Sequence, residues 1–269
     1  MIESTIIIPS DLSFSRIIGN PAAKRAIEVA TVAGASMLVH GPYASQKNLI
    51  ANAYAELYRS RPVVRISVSD RPEELRQRLT GRGDLSDILL LVPNLSELKR
   101  ETLVYLKELL DQQVLIVATM QPCPCGNLTS RSRGCSCDLE TVQKYRSHIP
   151  FALVDAFGMI VETAEPTCSD IMARQNNLCS GEEKVDAVLA RIGKATPVFI
   201  ARRQPIPLKP EAIDLLDTAV RRLSLSTVAV ENIRKLATAI AYLESTSYEL
   251  APAHCVAEAI QYAMKKSFS

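Results

Sequence analysis

The sequence predicts an α/β protein in which a doubly wound parallel sheet is followed by a small all-α region. The first observation is that short apolar runs alternate with helical segments through residues 1–165, as expected of parallel strands joined by helices. The second is that residues 87–92 and 114–120 are almost continuously apolar, which is typical of strands covered on both faces. The third is that only helical patterns follow residue 166.

Hydrophobic periodicity and turn residues place the individual elements. Strands are predicted at 37–40, 63–68, 87–92, 114–120 and 159–162. Helices are predicted at 21–33, 47–58, 70–79, 96–112, 181–193, 210–223, 226–243 and 252–266. Asn20 and Asp70 are expected to be helix N-caps, and the prolines of 194–209 predict a stiff connector. The predicted domains are a core at 1–165 with a Cys-rich insertion at 122–147, and a helical lid at 166–269.

Composition limits the class of protein. A chain of 269 residues with 47% hydrophobic residues can bury a large core. A net charge of +2 indicates no overall commitment to nucleic acid or to membranes. No apolar run has membrane-spanning length, and residues 1–10 lack the pattern of a signal peptide. We therefore expect a cytoplasmic protein without a membrane partner.

The loop that follows the predicted strand 37–40 resembles a Walker A motif in outline. In G-x-x-x-x-G-K-[ST], loop amides and the lysine bind phosphates, and the final hydroxyl holds Mg²⁺. Gly41 and Lys47 fit this pattern, whereas Gln46 replaces the second glycine and Asn48 replaces the hydroxyl. Gly41, Lys47 and Asn48 are thus the candidate residues for ATP with Mg²⁺. The alternative is an ordinary strand-to-helix turn with a surface lysine.

Four of the seven cysteines lie close together in the sequence. Cys123, Cys125, Cys135 and Cys137 form C-x-C-x₉-C-x-C, and four thiolates satisfy tetrahedral Zn²⁺. The alternatives are four free thiols or, least compatible with a reducing cytoplasm, disulfides. The other cysteines, Cys168, Cys179 and Cys255, are expected to be isolated thiols, and the three histidines are expected to be structural.

Basic side chains cluster in two places and could contact phosphates. Arg131 and Arg133 lie in the cysteine loop, and residues 191–209, which include Arg202 and Arg203, contain cations without an acid. The alternative is a solvated surface, because few aromatic side chains are interleaved for base stacking.

Several longer motifs together resemble the magnesium-chelatase-like AAA+ ATPases, the branch that includes competence helicases of the ComM type. That family carries N-P-C-P-C-G, a later C-x-C, a Y-R motif, an L-L-D-R-I-D segment and a G-Q-x-x-A-K-R-A-L opening. The corresponding segments here are 121–126, 135–137, 145–146, 153–158 and 19–27. The resemblance covers about 11–264, and it implies a P-loop NTPase-like fold with a helical lid. We expect the ATPase module alone, without the amino-terminal protease-like domain of ComM-type proteins.

The same resemblance implies that most catalytic positions have changed. Lys47 is kept, but residues 46 and 48 differ from the family pattern. The Walker B acids, which hold Mg²⁺, correspond to Val92 and Pro93. The sensor-1 asparagine, the arginine finger and the sensor-2 arginine correspond to Gln121, Ala156 and Asn232.

Three functions are compatible with these features. The first is a degenerate, non-hydrolysing AAA+ relative that acts as a scaffold or regulatory partner, for example of an active AAA+ ring in a DNA-processing assembly. The second is an active ATPase or DNA motor with unorthodox catalytic residues. The third is a zinc-dependent nucleic-acid-binding module.

Overall fold

A five-stranded parallel sheet forms the centre of the molecule, with the strand order β2-β3-β4-β1-β5. The computed structural model describes residues 13–58, 62–80, 84–175, 185–202 and 204–263. The strands are β1 (Met37–His40), β2 (Val63–Arg65), β3 (Leu89–Val92), β4 (Leu115–Met120) and β5 (Met159–Glu162). This arrangement confirms the predicted fold class.

Helices cover both faces of the sheet. They are α1 (Ser13–Arg16), α2 (Pro21–Ala33), α3 (Lys47–Leu57), α4 (Pro72–Leu79), α5 (Arg100–Asp111), α6 (Leu139–Ser147), α7 (Phe151–Ala156), α8 (Cys168–Gln175), α9 (Val185–Arg202), α10 (Pro210–Leu223), α11 (Thr227–Glu244) and α12 (Ala253–Ala263). Alternate residues of β1 enter opposite cores, with Met37 and Val39 on one side and Leu38 on the other. Because successive strand side chains point to opposite faces, each face requires its own helical cover.

The two cores are built from different helices. The first contains buried side chains of α1, α2, α3 and α9 to α12, so the carboxyl-terminal helices share a core with the sheet. The second contains those of α4, α5 and α7. In the first core, α11 packs against α2, α9 and α12. The division into 1–165 and 166–269 stays a prediction.

Two predicted N-caps have other roles. Asn20 precedes α2, but its side chain exchanges hydrogen bonds with the Ala164 backbone and does not cap the helix. Asp70 lies before the N-cap of α4. Its carboxylate accepts a hydrogen bond from the Ser67 amide and forms an ion pair with Arg78. Pro72 at the first helical position fixes the start of α4. The cap predicted at Ser226 is present, since its hydroxyl accepts from the Ala229 amide at 3.2 Å.

Several predicted boundaries shift. β2 ends at Arg65, and Asp87 lies in a short 3₁₀ turn before β3. The helix predicted from residue 96 begins at Arg100, after a 3₁₀ turn at Leu95–Glu97. The stiff connector is wrong over 194–202, because α9 continues through Pro197 to Arg202. The start of the helix predicted at 181–193 lies partly outside the described residues.

None of the helices in the described part of the chain combines the length and the apolar character that a bilayer span requires.

A buried ion pair connects α9 to α2. Arg191 donates to the Glu28 carboxylate from Nε at 3.0 Å and from Nη2 at 2.8 Å, and the Glu28 side chain is only 6% exposed. Removing one partner of a buried pair leaves an uncompensated charge in a medium of low polarity. The pair therefore stabilises the packing of α9 only while both members are present.

We predict that Arg191→Met lowers the free energy of unfolding by roughly 2–4 kcal/mol, because Arg25, 3.7 Å away, compensates Glu28 only in part. The double variant Glu28→Gln/Arg191→Met should recover most of the loss in urea denaturation. The control Arg221→Met removes an exposed pair and should change stability by less than about 1 kcal/mol. Equal effects of the two arginine substitutions would contradict this role.

Candidate functional site

Two loops meet at the carboxyl end of β1. Loop 41–46 joins β1 to α3, and loop 121–138 follows β4. Because β1 and β4 are parallel neighbours, both loops leave the sheet at the same edge. The Tyr43 amide donates to the Gly126 carbonyl at 2.9 Å. The candidate phosphate loop and the cysteine loop are therefore directly bonded, at the position where ligands bind in open α/β sheets.

The interior of loop 41–46 is tightly packed. A Cβ at Gly41 would lie 2.8 Å from the Ser45 hydroxyl and still closer to Thr163, so only glycine fits there. The Thr163 hydroxyl lies 2.7 Å from Ser45 Oγ, which in turn lies 2.8 Å from the Pro42 carbonyl. The Ser45 hydroxyl is thus hydrogen-bonded both to the loop itself and to Thr163, which follows β5.

Gln46 closes the loop on its other side. It has a φ of 62°, a left-handed conformation that costs a non-glycine residue about 1–2 kcal/mol. Its side-chain Oε1 accepts from the Ile18 amide at 2.9 Å, and its Nε2 donates to the Ile18 carbonyl at 3.4 Å. These two hydrogen bonds offset the strain and connect the loop to the segment before α2.

Lys47 points back into its own loop. Its Nζ donates to the Pro42 carbonyl at 2.9 Å, and the residue is 6% exposed. Burial without a carboxylate partner lowers the pKa of Lys47 to about 8, because desolvation disfavours the charged form. The ammonium group is therefore held by neutral oxygen.

Asn48 belongs to a neutral hydrogen-bond chain at the same edge of the sheet. Its Oδ1 accepts from the Thr119 hydroxyl at 3.0 Å, and that hydroxyl accepts from the Asn94 amide at 3.0 Å. The chain connects the first turn of α3 to the ends of β4 and β3. Val92 is buried at the end of β3, followed by Pro93, so neither residue offers a carboxylate.

The other positions implied by the resemblance are dispersed. Gln121 lies beside Gly126 in the cysteine loop. Ala156 and Asn232 line a cavity with Ser36, at the edge where β1 begins. Since the phosphate loop follows the opposite end of β1, the structure does not bring Asn232 to Lys47.

The four clustered cysteines come together in space. Cys123, Cys125 and Cys135 have sulfur separations of 3.4, 3.7 and 3.6 Å, and all four sulfurs, including that of Cys137, lie within 4.8 Å of one another. Four sulfurs around a tetrahedral Zn²⁺ at about 2.3 Å would be separated by about 3.8 Å. The arrangement has the dimensions of a Cys₄ metal site, and none of these thiols is in a disulfide.

Backbone and carboxylate contacts shape the cysteine loop. The amides of Asn127 and Ser136 lower the pKa of the Cys125 thiol to about 5 by stabilising its thiolate. Glu165, just after β5, accepts from the hydroxyls of Ser130 and Ser132, both at 2.8 Å, and these bonds lower the pKa of its carboxyl group. Asp138 caps α6 by accepting from the Thr141 amide at 2.7 Å.

The four arginines predicted to contact nucleic acid fall into two regions. Arg131 and Arg133 are exposed in the cysteine loop. Arg202 ends α9, where its Nη1 donates to the Tyr242 hydroxyl at 3.2 Å. Arg203 lies outside the described residues.

Sequence reasoning missed the contacts between the two loops and the role of Thr119. It also described Cys255 as an isolated thiol, whereas its sulfur lies 3.4 Å from His254 Nε2. The adjacency of His254 and Cys255 at the predicted start of a helix was the available signal. Cys168 is exposed, and Cys179 lies outside the described residues.

Strand order β2-β3-β4-β1-β5 and a loop with Gly41 and Lys47 after β1 define a P-loop NTPase-like protein. Residues 95–171 match the family model for magnesium chelatase, subunit ChlI. This match, which includes the cysteine loop, confirms the resemblance to the magnesium-chelatase-like AAA+ ATPases. A comparison with curated proteins gave no significant match.

One solved structure with a TM-score above 0.5 supports the same fold at low sequence identity, and two others are less similar. The protein is similar to a "putative ATPase" from Cytophaga hutchinsonii, with 13% identity, a TM-score of 0.57 and coverage of 94% of this chain and 83% of that one. A substituted form of Thermotoga maritima RuvB is 14% identical, with a TM-score of 0.44 and coverage of 93% and 72%. The Thermotoga maritima RuvB Holliday junction branch migration motor is 14% identical, with a TM-score of 0.41 and coverage of 92% and 70%.

We predict that Lys47→Met stabilises the protein at pH 7 by roughly 1–3 kcal/mol, because it removes a buried charge. The native pKa of about 8 lies below the ordinary value of 10.5, so the unfolded chain binds more protons between these pH values. Stability of the unsubstituted protein should therefore rise from pH 8 to 10.5, and Lys47→Met should lack this increment. Urea denaturation across this range, with the exposed Lys144→Met as control, measures the difference; identical slopes in both variants would contradict the burial effect.

Proposed function

We propose that this protein is a non-hydrolysing member of the magnesium-chelatase-like AAA+ group that acts as a scaffold or regulatory partner, for example of an active AAA+ ring. One observation carries the proposal. Lys47 and Asn48, which the resemblance assigns to phosphate and Mg²⁺, are both hydrogen-bonded within the protein, to Pro42 and to Thr119. The two side chains that would bind phosphate and Mg²⁺ in an active relative therefore have partners within this protein.

The surroundings of these residues support the loss of hydrolysis. A catalytic Mg²⁺ requires carboxylate or hydroxyl oxygen at the end of β3 and the start of α3, where this chain has Val92, Pro93 and Asn48. Gln46 occupies the second glycine position and holds the loop to Ile18. Loss of a transition-state arginine alone commonly lowers phosphoryl-transfer rates by about 10³ to 10⁵, and that position is Ala156.

An exposed apolar surface beside the cysteine loop supports a protein partner. Leu139 is 80% exposed and Phe151 is 65% exposed, and both line a groove with Arg100 and Arg146. Clustered exposed apolar side chains with a polar rim are typical of protein interaction sites. The two arginines favour a partner that presents acidic side chains at the rim.

We further propose that the cysteine cluster binds Zn²⁺ and thereby holds the loop after β4 in place. The fit of the four sulfurs to tetrahedral dimensions supports this site. Because Gly126 accepts from the Tyr43 amide, the metal would also stabilise the closed phosphate loop. The exposed Arg131 and Arg133 in the same loop favour nucleic-acid binding as a second function.

We predict that the purified protein shows no Mg²⁺-dependent ATP turnover, because no carboxylate recruits the metal at β3. A ligand at 100 times its dissociation constant stabilises the folded state by about 2.7 kcal/mol. We expect Mg²⁺-ATP to raise the melting temperature by less than this stabilisation would produce. Any residual shift should be reproduced by pyrophosphate and abolished by Lys47→Ala. Turnover that Lys47→Ala abolishes would show an active ATPase, and a large adenine-specific shift would indicate a nucleotide sensor.

We predict that Cys135→Ser lowers the zinc content by about one ion per chain relative to Cys168→Ser, because a four-thiolate site loses most of its affinity with one ligand. Elemental analysis of chelator-free preparations measures the difference. Equal zinc in the two variants would exclude the metal site.

Retention on DNA in a salt series tests nucleic-acid binding as the second function. Binding that weakens with salt and with zinc removal supports this function.

A further inference from the structure

A second group of metal-ligand side chains lies where α11 ends and α12 begins. Glu244 is the last residue of α11, and His254 and Cys255 lie in the first turn of α12. Glu244 Oε2 is 2.8 Å from His254 Nε2, and Cys255 Sγ is 3.4 Å from that nitrogen and 4.0 Å from that oxygen. One oxygen, one nitrogen and one sulfur therefore face a common point.

The geometry differs from that of a catalytic Cys-His-acid relay. In a relay, the thiol and the carboxylate contact opposite nitrogens of the imidazole, so that the ring can pass a proton between them. Here the same atom, His254 Nε2, faces both Cys255 and Glu244. One nitrogen cannot accept from the thiol while it donates to the carboxylate, whereas three donor atoms around one point are what a metal ion requires.

The separations fit a borderline-soft divalent ion. Zn²⁺ binds sulfur at about 2.3 Å and imidazole nitrogen or carboxylate oxygen at about 2.0–2.2 Å, so tetrahedral ligand atoms lie about 3.3–3.6 Å apart. The observed separations of 2.8 to 4.0 Å bracket these values. Movements of a few tenths of an ångström in the exposed His254 and Glu244 side chains, 58% and 34% exposed, would complete the geometry.

Among the described residues, only Glu244, His254 and Cys255 supply metal-ligand atoms to this group. Glu258 lies one turn further along α12, but it is held by Arg25 at 3.0 Å and by the Tyr262 hydroxyl at 2.9 Å. Cys255 is buried and fixes the site to the core, while His254 and Glu244 face solvent and provide an entry route. Glu244 also lines a cavity of about 860 Å³ between α2 and α9.

We propose that Glu244, His254 and Cys255 form a binding site for Zn²⁺, with three protein ligands and one position for water or an external ligand. Binding converts the Cys255 thiol to a thiolate and releases its proton to solvent. The site lies in the carboxyl-terminal helices, and it depends neither on the cysteine cluster nor on the proposed function.

The test is an equilibrium zinc titration of the full chain with a competing chromophoric chelator, followed by Co²⁺ absorption spectra. His254→Ala and Glu244→Gln each remove one exposed ligand, so the fold is retained. Glu249→Gln and Cys168→Ser are the matched controls at nearby or exposed positions. The cysteine cluster is unchanged in all these proteins, so differences in zinc binding between them report the site at Glu244, His254 and Cys255.

We expect the unsubstituted protein and both controls to bind about one more Zn²⁺ per chain than His254→Ala. Glu244→Gln should raise the dissociation constant of this site for Zn²⁺ at least tenfold. The Co²⁺ difference spectrum between the unsubstituted protein and His254→Ala should show tetrahedral d–d bands with a thiolate charge-transfer band. Zinc stoichiometry and affinity that are unchanged by His254→Ala would overturn the proposal and leave an ordinary surface hydrogen bond between Glu244 and His254.

Discussion

The parallel pairing of β1 with β4 on one side and with β5 on the other determines where the candidate sites can lie. All four residues of β1 are buried, so the strand cannot shift without disrupting both cores. Its carboxyl end releases the phosphate loop, and the same end of β4 releases the cysteine loop. Thr163, which follows β5, reaches the Ser45 hydroxyl from the other side. Segments that follow these three neighbouring strands thus meet at this crevice.

Hydrogen bonds to neutral groups line the crevice. In a working phosphate site, the charges of lysine, metal and acids balance those of the nucleotide. Here Lys47 is buried against the Pro42 carbonyl, and Asn48 joins Thr119 and Asn94 in a chain of dipoles. A buried ammonium group without a carboxylate is destabilising, which accounts for the lowered pKa of Lys47. The packed interior of loop 41–46 therefore contains one unfavourable buried charge, the Lys47 ammonium group.

The sequence predicts those parts of the fold that depend on local signals. Met37–His40 and Met159–Glu162 were predicted to the residue because each is a short apolar run followed by a break, and Pro210 correctly marks the start of α10. The path of α9 could not be predicted, because the burial of Val188, Ile192 and Ala195 outweighs the local effect of Pro197.

The candidate sites were predictable only where their residues are near in sequence. The C-x-C pairs indicated the cysteine cluster, whose sulfurs do converge. The bond from Thr119 to Asn48 joins residues 71 positions apart, and that from Thr163 to Ser45 joins residues 118 positions apart. Such contacts depend on strand order, and no local pattern encodes them.

The left-handed Gln46 has a consequence for how this loop can change. Substitution of Gln46 by glycine would relieve the backbone strain, but it would also remove both side-chain hydrogen bonds to Ile18. Lys47 would still be directed at Pro42, and Val92 and Pro93 would still offer no metal ligand. Gln46→Gly would therefore remove an existing contact without adding a metal ligand. The closed conformation of loop 41–46 therefore depends on a side chain whose backbone strain and hydrogen bonds cannot be separated by a single substitution.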